Sequence, residues 1–443
     1  MPVTKYNALI AALAVLAAAP IPALAGTPRP PATPADDMVI YPLAAGQNLY
    51  GVARRYFTHL SAYREVQHIN HVANAHRIAP GTPLSVPVRL LRTEPLDARV
   101  LATRGTVTLS GKPARANDPV VPGTVVETGP DGFVSLRLSN GSQVTVPTRS
   151  RMRIITMRRI LLTDALDFDI AIEAGKVETQ ATPLPAGRGG FRLRTPRAVS
   201  AIRGTTLRVG FDEGAGDSAT EVVEGKVAVG AAGAKGEPQM VAQGFGAQVS
   251  ATGSLAMEQL LPPPDLVEPG KVLVDPLPIF AIAPLAGASG YHVQVAADSS
   301  FADLVAEARG TTASVPVPDL PDGRWFVRLT AYSSRGLEGL PQVYSVRRTL
   351  TGLKAGADRD ADRVRFSWSA EGNGAHTYRF QLARGDASAA PMLDEPALTG
   401  DALSLSGLAD GVYFWRVGVR QFGPGGLSET WMPFQKFTMA GAK

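Results

Sequence analysis

Apolar and polar side chains alternate with a period of two through most of this chain. Phe133-Val134-Ser135-Leu136-Arg137-Leu138, Phe191-Arg192-Leu193-Arg194 and Leu207-Arg208-Val209-Gly210-Phe211 are examples. Successive side chains of a strand point to opposite faces, so this alternation predicts half-buried strands. Glycines stand at the corners, as in Gly123, Gly132, Gly175 and Gly225, and Ser139-Asn140-Gly141-Ser142 between two alternating runs predicts a hairpin. The expected fold is mainly β and multidomain.

One stretch breaks the rule. Between Tyr41 and Pro87 the apolar spacing becomes helical. Asn48 is placed to cap a helix with Leu49, Val52, Ala53 and Tyr56 on its buried face, and Ser61 a second with Ala62, Val66 and Ile69 inward. A strand precedes Ala45-Gly46, and Leu84-Ser85-Val86-Pro87 closes the unit after a Pro80-Gly81 turn. The order is strand–helix–helix–strand. Near the other end the sequence repeats itself. Tyr291-His-Val-Gln-Val returns as Tyr378-Arg-Phe-Gln-Leu, and Asp322-Gly-Arg-Trp-Phe-Val-Arg-Leu as Asp410-Gly-Val-Tyr-Phe-Trp-Arg-Val. A period of this length points to duplicated small sandwiches rather than a solenoid.

Composition narrows the picture. The 443 residues exceed one core, and 45 glycines with 36 prolines favour short strands and turns. The absence of cysteine excludes disulfides, zinc–thiolate sites and thiol nucleophiles. A net charge of +5 is mild and spread along the chain, so nucleic acid is not an expected partner. Lys5, the apolar run Ala8–Ala19 and Ala23-Leu24-Ala25 have the form of a secretory signal peptide over residues 1–25, cleaved after Ala25. No later run is long enough to span a bilayer, and a soluble, exported, periplasmic and cell-wall-associated protein is expected. Residues 26–38 are a proline-rich tether, and residues 255–270, which include LLPPPDLVEPG, have the composition of a second linker.

Residues 39–88 resemble a LysM domain. The opening Tyr41-Pro-Leu-Ala-Ala-Gly46-Gln-Asn-Leu49, the central Asn70, and Ile78, Gly81, Leu84, Val86 and Pro87 carry the likeness. It implies a βααβ module that binds N-acetylglucosamine polymers, peptidoglycan in bacteria. By position, its groove would run between Gly46, Gln47, Asn48 and Leu49 and Arg77, Ile78, Ala79 and Pro80. Gln47-Asn48 replaces the family's usual Asp-Thr/Ser pair. His59, His68, His71 and His76 cluster here with no carboxylate suitably spaced to complete a site, so no metal or other cofactor is expected.

Residues 98–254 resemble the FecR domain, most specifically at Arg194-Thr195-Pro196 and Arg203-Gly204-Thr205. That resemblance implies a β-solenoid-like or rolled β structure. In familiar members the domain is periplasmic, follows an anti-sigma segment and a membrane helix, and relays a transporter signal; here no such segment is expected ahead of the signal peptide. The stretch from Phe191 to Phe211 holds five arginines. Gly204 suits a tight corner and Pro196 a strand end. Arg203 is expected to be partly buried beside Glu224 or Asp212, while Arg192, Arg194 and Arg208 face outward as edge charges. Residues 271–350 and 351–440 resemble fibronectin type III modules, with Trp325, Trp368, Trp415 and Trp431 as core aromatics.

These readings favour a non-catalytic envelope protein, anchored to peptidoglycan by its LysM-like module and presenting the β modules to another envelope protein. The alternative is a FecR-like cell-surface signalling component. A cell-wall hydrolase is the second alternative: no HExxH zinc motif occurs, and His292 and His376 are the only histidines outside the first module, although a carboxylate pair stays open.

Overall fold

The structure, a computed structural model, describes residues 37–184, 189–234, 236–360, 362–372, 374–423 and 426–439. The expected signal peptide and almost all of the first linker lie outside the described residues. Strand β1 (Met38–Pro42) pairs antiparallel with β2 (Pro83–Pro87), and helices α1 (Leu49–Tyr56) and α2 (Ala62–Ile69) lie between them in sequence. Asn48 caps α1: its backbone is extended and its Oδ1 accepts the Gly51 amide at 2.7 Å. Ser61 differs from expectation. Its own backbone is helical, φ −60° and ψ −18°, so its hydroxyl caps nothing. Leu49, Val52, Ala53, Ala62 and Val66 form a small core with Leu84 and Val86, and Ile160, Leu162 and Ala165 of the next domain complete it.

The next domain is a rolled pair of sheets organised by one sixteen-residue strand, Ala165–Gln180. Its first part pairs with Arg151–Ile160 antiparallel and with Gly189–Arg194 parallel. Its second part pairs with Gln143–Val146 and Thr206–Asp212 in the other sheet. Gly175 marks the crossing. Its φ is +71°, and a Cβ there would stand 2.5 Å from the Arg149 carbonyl oxygen, so only glycine lets the strand change sheets. Apolar residues of both sheets, among them Ile154, Phe168, Ile170, Val177, Phe191 and Val209, are buried between them. The structure is the rolled form of the two expected.

The second linker needs correction. Leu255–Gln259 is a strand paired with Phe245–Val249. Beyond it the backbone is docked: the Leu261 carbonyl accepts the Leu340 amide at 2.9 Å and the Asp265 carbonyl accepts the Ala283 amide at 2.8 Å. Proline removes amide donors but leaves carbonyl acceptors, so a proline-rich segment can still be held along one side.

Two sandwiches follow. In the first, a four-stranded sheet of Leu304–Gly310, Ala288–Ala296, Gly323–Ser333 and Gln342–Arg348 covers the pair Ile279–Ala281 and Ser314–Pro316. In the second, a sheet built on His376–Arg384 and Gly411–Gly423 packs on a three-stranded one through Phe366, Trp368, Phe380 and Trp415. Trp325 and Trp431 are only half-buried, unlike the expected core tryptophans. Among the described residues no helix is long and apolar enough to cross a membrane.

Candidate functional sites

The loops named for glycan recognition do come together. The Leu43 amide donates to the Thr82 carbonyl at 3.0 Å and the Gly81 amide to the Leu43 carbonyl at 2.7 Å, placing the turn after β1 beside the turn before β2. Gly46 has φ +79° and open space where a Cβ would stand. Gln47 is turned inward on its own loop, its Oε1 accepting from the Tyr41 hydroxyl at 2.7 Å and the Ala44 amide at 3.2 Å. Asn48 is occupied by its cap. Leu49 is fully buried and cannot line a groove, because it is the first apolar anchor of α1. Arg77, Ala79 and Pro80 are exposed and Ile78 is half-buried. The face therefore offers backbone and Arg77, with the side-chain amide oxygens of Gln47 and Asn48 already engaged. Asn70 ties α2 to β2 instead: its Nδ2 donates to the Ser85 carbonyl at 2.8 Å and its Oδ1 accepts the Ser85 amide. Among the described residues no three His, Asp or Glu side chains converge as a metal site.

The two short motifs of the roll build corners. Thr195 begins the turn between Gly189–Arg194 and Ala198–Ile202; its hydroxyl accepts the Ala198 amide at 2.8 Å and meets Ser218 Oγ at 2.6 Å. Pro196 is exposed at that turn. Gly204, φ +74°, lies where a Cβ would strike Pro183 Cα at 2.8 Å, and the Thr205 hydroxyl donates to the Lys226 carbonyl at 3.0 Å.

The arginines reverse their expected roles. Arg203 is exposed and pairs with neither Glu224 nor Asp212. Arg192 and Arg194 are half-buried over the carboxylates of Asp167 and Asp169, at 2.7 to 3.2 Å, and Arg192 also reaches Asp37 at the start of the first module. Arg208 is buried. Alternation placed it on the outer face of the roll, and that face is covered by the first sandwich.

Around Arg208 the two domains share a seam of buried charge. From the roll come Lys176, Glu178, Arg208 and Glu221; from the sandwich come His292, Glu307, Arg328 and Glu338. Glu338 is the hub: its carboxylate lies 2.8 Å from Lys176 Nζ, 3.0 Å from an Arg208 Nη and 2.9 Å from His292 Nδ1, and accepts from the Thr330 hydroxyl at 2.7 Å. Arg208 also donates to the carbonyls of Glu338 and Gly339 at 2.9 and 2.6 Å. Glu221 lies 3.1 Å from Lys176 and accepts the Glu338 amide at 3.1 Å. His292 Nε2 meets Glu307 at 2.6 Å, and Glu307 accepts the Thr148 hydroxyl of the roll at 3.0 Å. Arg328 pairs with Glu178 and donates to Gln294 at 2.8 Å. Tyr332 stacks on His292 with ring centres 6.0 Å apart.

Charges buried this deeply persist only when paired. Burial alone would neutralise His292, but the Glu338 and Glu307 carboxylates outweigh it and raise the imidazole above its ordinary value. Burial also opposes ionisation of Glu307, yet His292 and Arg309 hold it down at about 2. Glu338 is held well below the usual carboxylate range against its own burial by Arg208, Lys176 and His292. The charged forms of His292, Glu307 and Glu338 thus favour one another. The sequence reading missed it: Glu338 and His292 lie far along the chain from Arg208, and no local spacing links them.

The family model described as FecR protein matches residues 124–228, so the roll contains a FecR domain. No curated protein matches the chain. Two crystal structures of a candidate anti-sigma factor from Parabacteroides distasonis ATCC 8503 are similar at 18% and 17% identity, with TM-scores of 0.27 and 0.26, each over 31% of this chain. This chain spans 59% of the length of that relative. The FN1–FN3 domains of chicken CNTN1 are similar at 12% identity and a TM-score of 0.19, over 56% of this chain and 97% of theirs.

Proposed function

We propose that the protein is a cell-surface signalling component of the FecR kind, in which the roll and the first sandwich act as one rigid body that receives a protein partner in the envelope. The FecR match over residues 124–228 carries this reading. The seam supports the rigid coupling, because moving the sandwich off the roll would expose ionised Lys176, Arg208 and Glu338 to separation from their partners. No catalytic step is proposed: His292 is enclosed between two carboxylates inside the protein. The test is photo-crosslinking in intact cells from exposed positions on the roll, such as Arg203 and Met240. A discrete envelope transporter or anti-sigma partner is expected; recovery of no protein adduct from either position overturns the reading.

Anchoring to peptidoglycan through residues 39–88 is a second reading, favoured by the βααβ fold and the facing loops at Gly46 and Gly81. It is tested by sedimenting the full chain with insoluble peptidoglycan. Gly46→Val, which adds a branched side chain at positive φ in open space, is expected to reduce the pelleted fraction severalfold. Equal failure of wild type and variant to pellet would remove it.

A further inference from the structure

Beside the seam the roll and the first sandwich border an open cleft of about 920 Å³. Ala174 and Ala219 line it with no more than a methyl group and Gly175 and Gly210 with bare backbone, so backbone lies close to the space. Arg149 from the roll and Arg309 and Arg335 from the sandwich also border it.

The carboxylates of this wall are largely occupied. Glu221 is held by Lys176 and the Glu338 amide, and Glu307 by His292, Thr148 and Arg309. Asp212 accepts the amides of Gly214 and Ala215, and Asp217 binds Gln248 and the Ala251 amide. Glu213 is the exception and carries the one wall carboxylate with no hydrogen bond or ion pair among the described residues.

The guanidiniums are not so occupied. Among the described residues the Arg149 side chain has no hydrogen-bond or ion-pair partner, although its backbone is fixed by the Gly129 carbonyl. Its φ is +53°, a conformation that glycine or asparagine adopts more readily, so the turn does not call for arginine on conformational grounds. Among the described residues Arg309 gives Glu307 one contact at 3.1 Å and stays half exposed, and Arg335 reaches Glu258 alone, at 3.4 Å. The Tyr332 ring borders the same wall, with Lys176 and Arg309 over it at 5.6 and 5.8 Å; its hydroxyl is closed off from solvent and has no hydrogen-bond partner among the described residues. Each guanidinium carries five N–H donors, so Arg149, Arg309 and Arg335 keep donors beyond the contacts just given.

We infer that this cleft binds the oxyanion of a small ligand, a carboxylate or phosphate group, held between Arg149 on the roll and Arg309 and Arg335 on the sandwich. Guanidinium forks match either group through paired, charge-assisted hydrogen bonds. A ligand so placed would touch both domains, and its affinity would report their relative position. The inference does not depend on which protein, if any, docks on the roll.

The test is calorimetric titration of the full chain with citrate and, separately, with inorganic phosphate at low ionic strength. Saturable binding of either probe is expected, and the preference between them identifies the oxyanion. Arg149→Asn, which suits positive φ, and Arg309→Ala are each expected to weaken binding about tenfold, as loss of a charge-assisted contact does. Arg324→Ala, on an exposed arginine outside the cleft lining, is expected to leave binding unchanged. Should Arg309→Ala fail to fold, Arg335→Gln takes its place beside Arg149→Asn. Absence of binding by both probes, or binding that survives the folded cleft variants unaltered, overturns the inference.

Discussion

The two sandwiches carry the same arginine–glutamine pair at corresponding places and surround it differently. In the first, Arg328 donates to Gln294; in the second, Arg416 donates to Gln381, 88 and 87 residues further on. Arg328 continues outward to Glu178 of the roll. Arg416 instead lies between the rings of Trp431 and Phe434, 4.4 Å from each ring centre. Thr330 of the first sandwich bonds the hub carboxylate, and its counterpart is Gly418, where a Cβ would stand 2.7 Å from the Trp431 ring. His292, held by two carboxylates, corresponds to Arg379, which is paired with Asp394 and stacked near Trp431. One duplicated face has thus been covered by a neighbouring domain and the other by its own chain. A polar sheet face is compatible with either cover, and the residues around the conserved geometry decide which.

The comparison can be broken most forcefully at the hub. Glu338→Ala leaves Lys176, Arg208 and His292 buried with reduced compensation, and should cost about 3–5 kcal/mol by chemical denaturation. A cut in the self-covered face of the second sandwich, Arg416→Ala, removes a partly exposed cation–π contact and should cost only about 1–2 kcal/mol. Equal costs would contradict the distinction drawn between a buried seam and a self-covered face.

Acid and alkali should reach the first sandwich next. Glu307 is depressed from 4.5 to about 2 and Glu338 lies well below its ordinary value, so their stabilisation is complete above the ordinary carboxylate range and is lost as pH falls through the depressed values. His292 is raised from 6.5, so the contribution of its charge is complete below that value and is lost as pH rises through the raised one. Stability of the roll–sandwich unit should therefore form a plateau that falls at both ends. His292→Gln should remove the alkaline fall, as read from denaturation midpoints across pH.

Gly418→Thr, which installs the residue of the first sandwich in the second, should displace Trp431 and cost about 1–3 kcal/mol, with a change in tryptophan emission. The smallest effect is expected at Arg203→Ala. This motif arginine is exposed and should change stability by no more than about 0.5 kcal/mol in either direction.

The contrast also shows what was legible beforehand. Period-two alternation located Gly189–Arg194 and Thr206–Asp212 as strands, and Gly141 as a hairpin corner, because pleating and turn conformation are local properties. The helical spacing after Asn48 located α1 and its cap for the same reason. The proline-rich stretch after Leu260 was misread because composition reports missing donors and says nothing of where the remaining carbonyls find partners. Leu49 was misplaced in a groove because a family position does not say which way one side chain turns in this chain.

Alternation also puts Arg208 on the outer face of the roll, yet an outer face need not meet solvent. Local pattern fixes which residues share a face; it does not fix what lies against that face. The amino-acid sequence by itself determined a mainly β chain, its βααβ unit and its repeated sandwiches, since these follow from interactions between residues close in the chain or paired in register. Only the tertiary structure decided that Lys176, Arg208, Glu221, His292 and Glu338 meet. Burying charge is favourable only with an opposite charge at hydrogen-bonding distance, and that distance is set by how two domains pack.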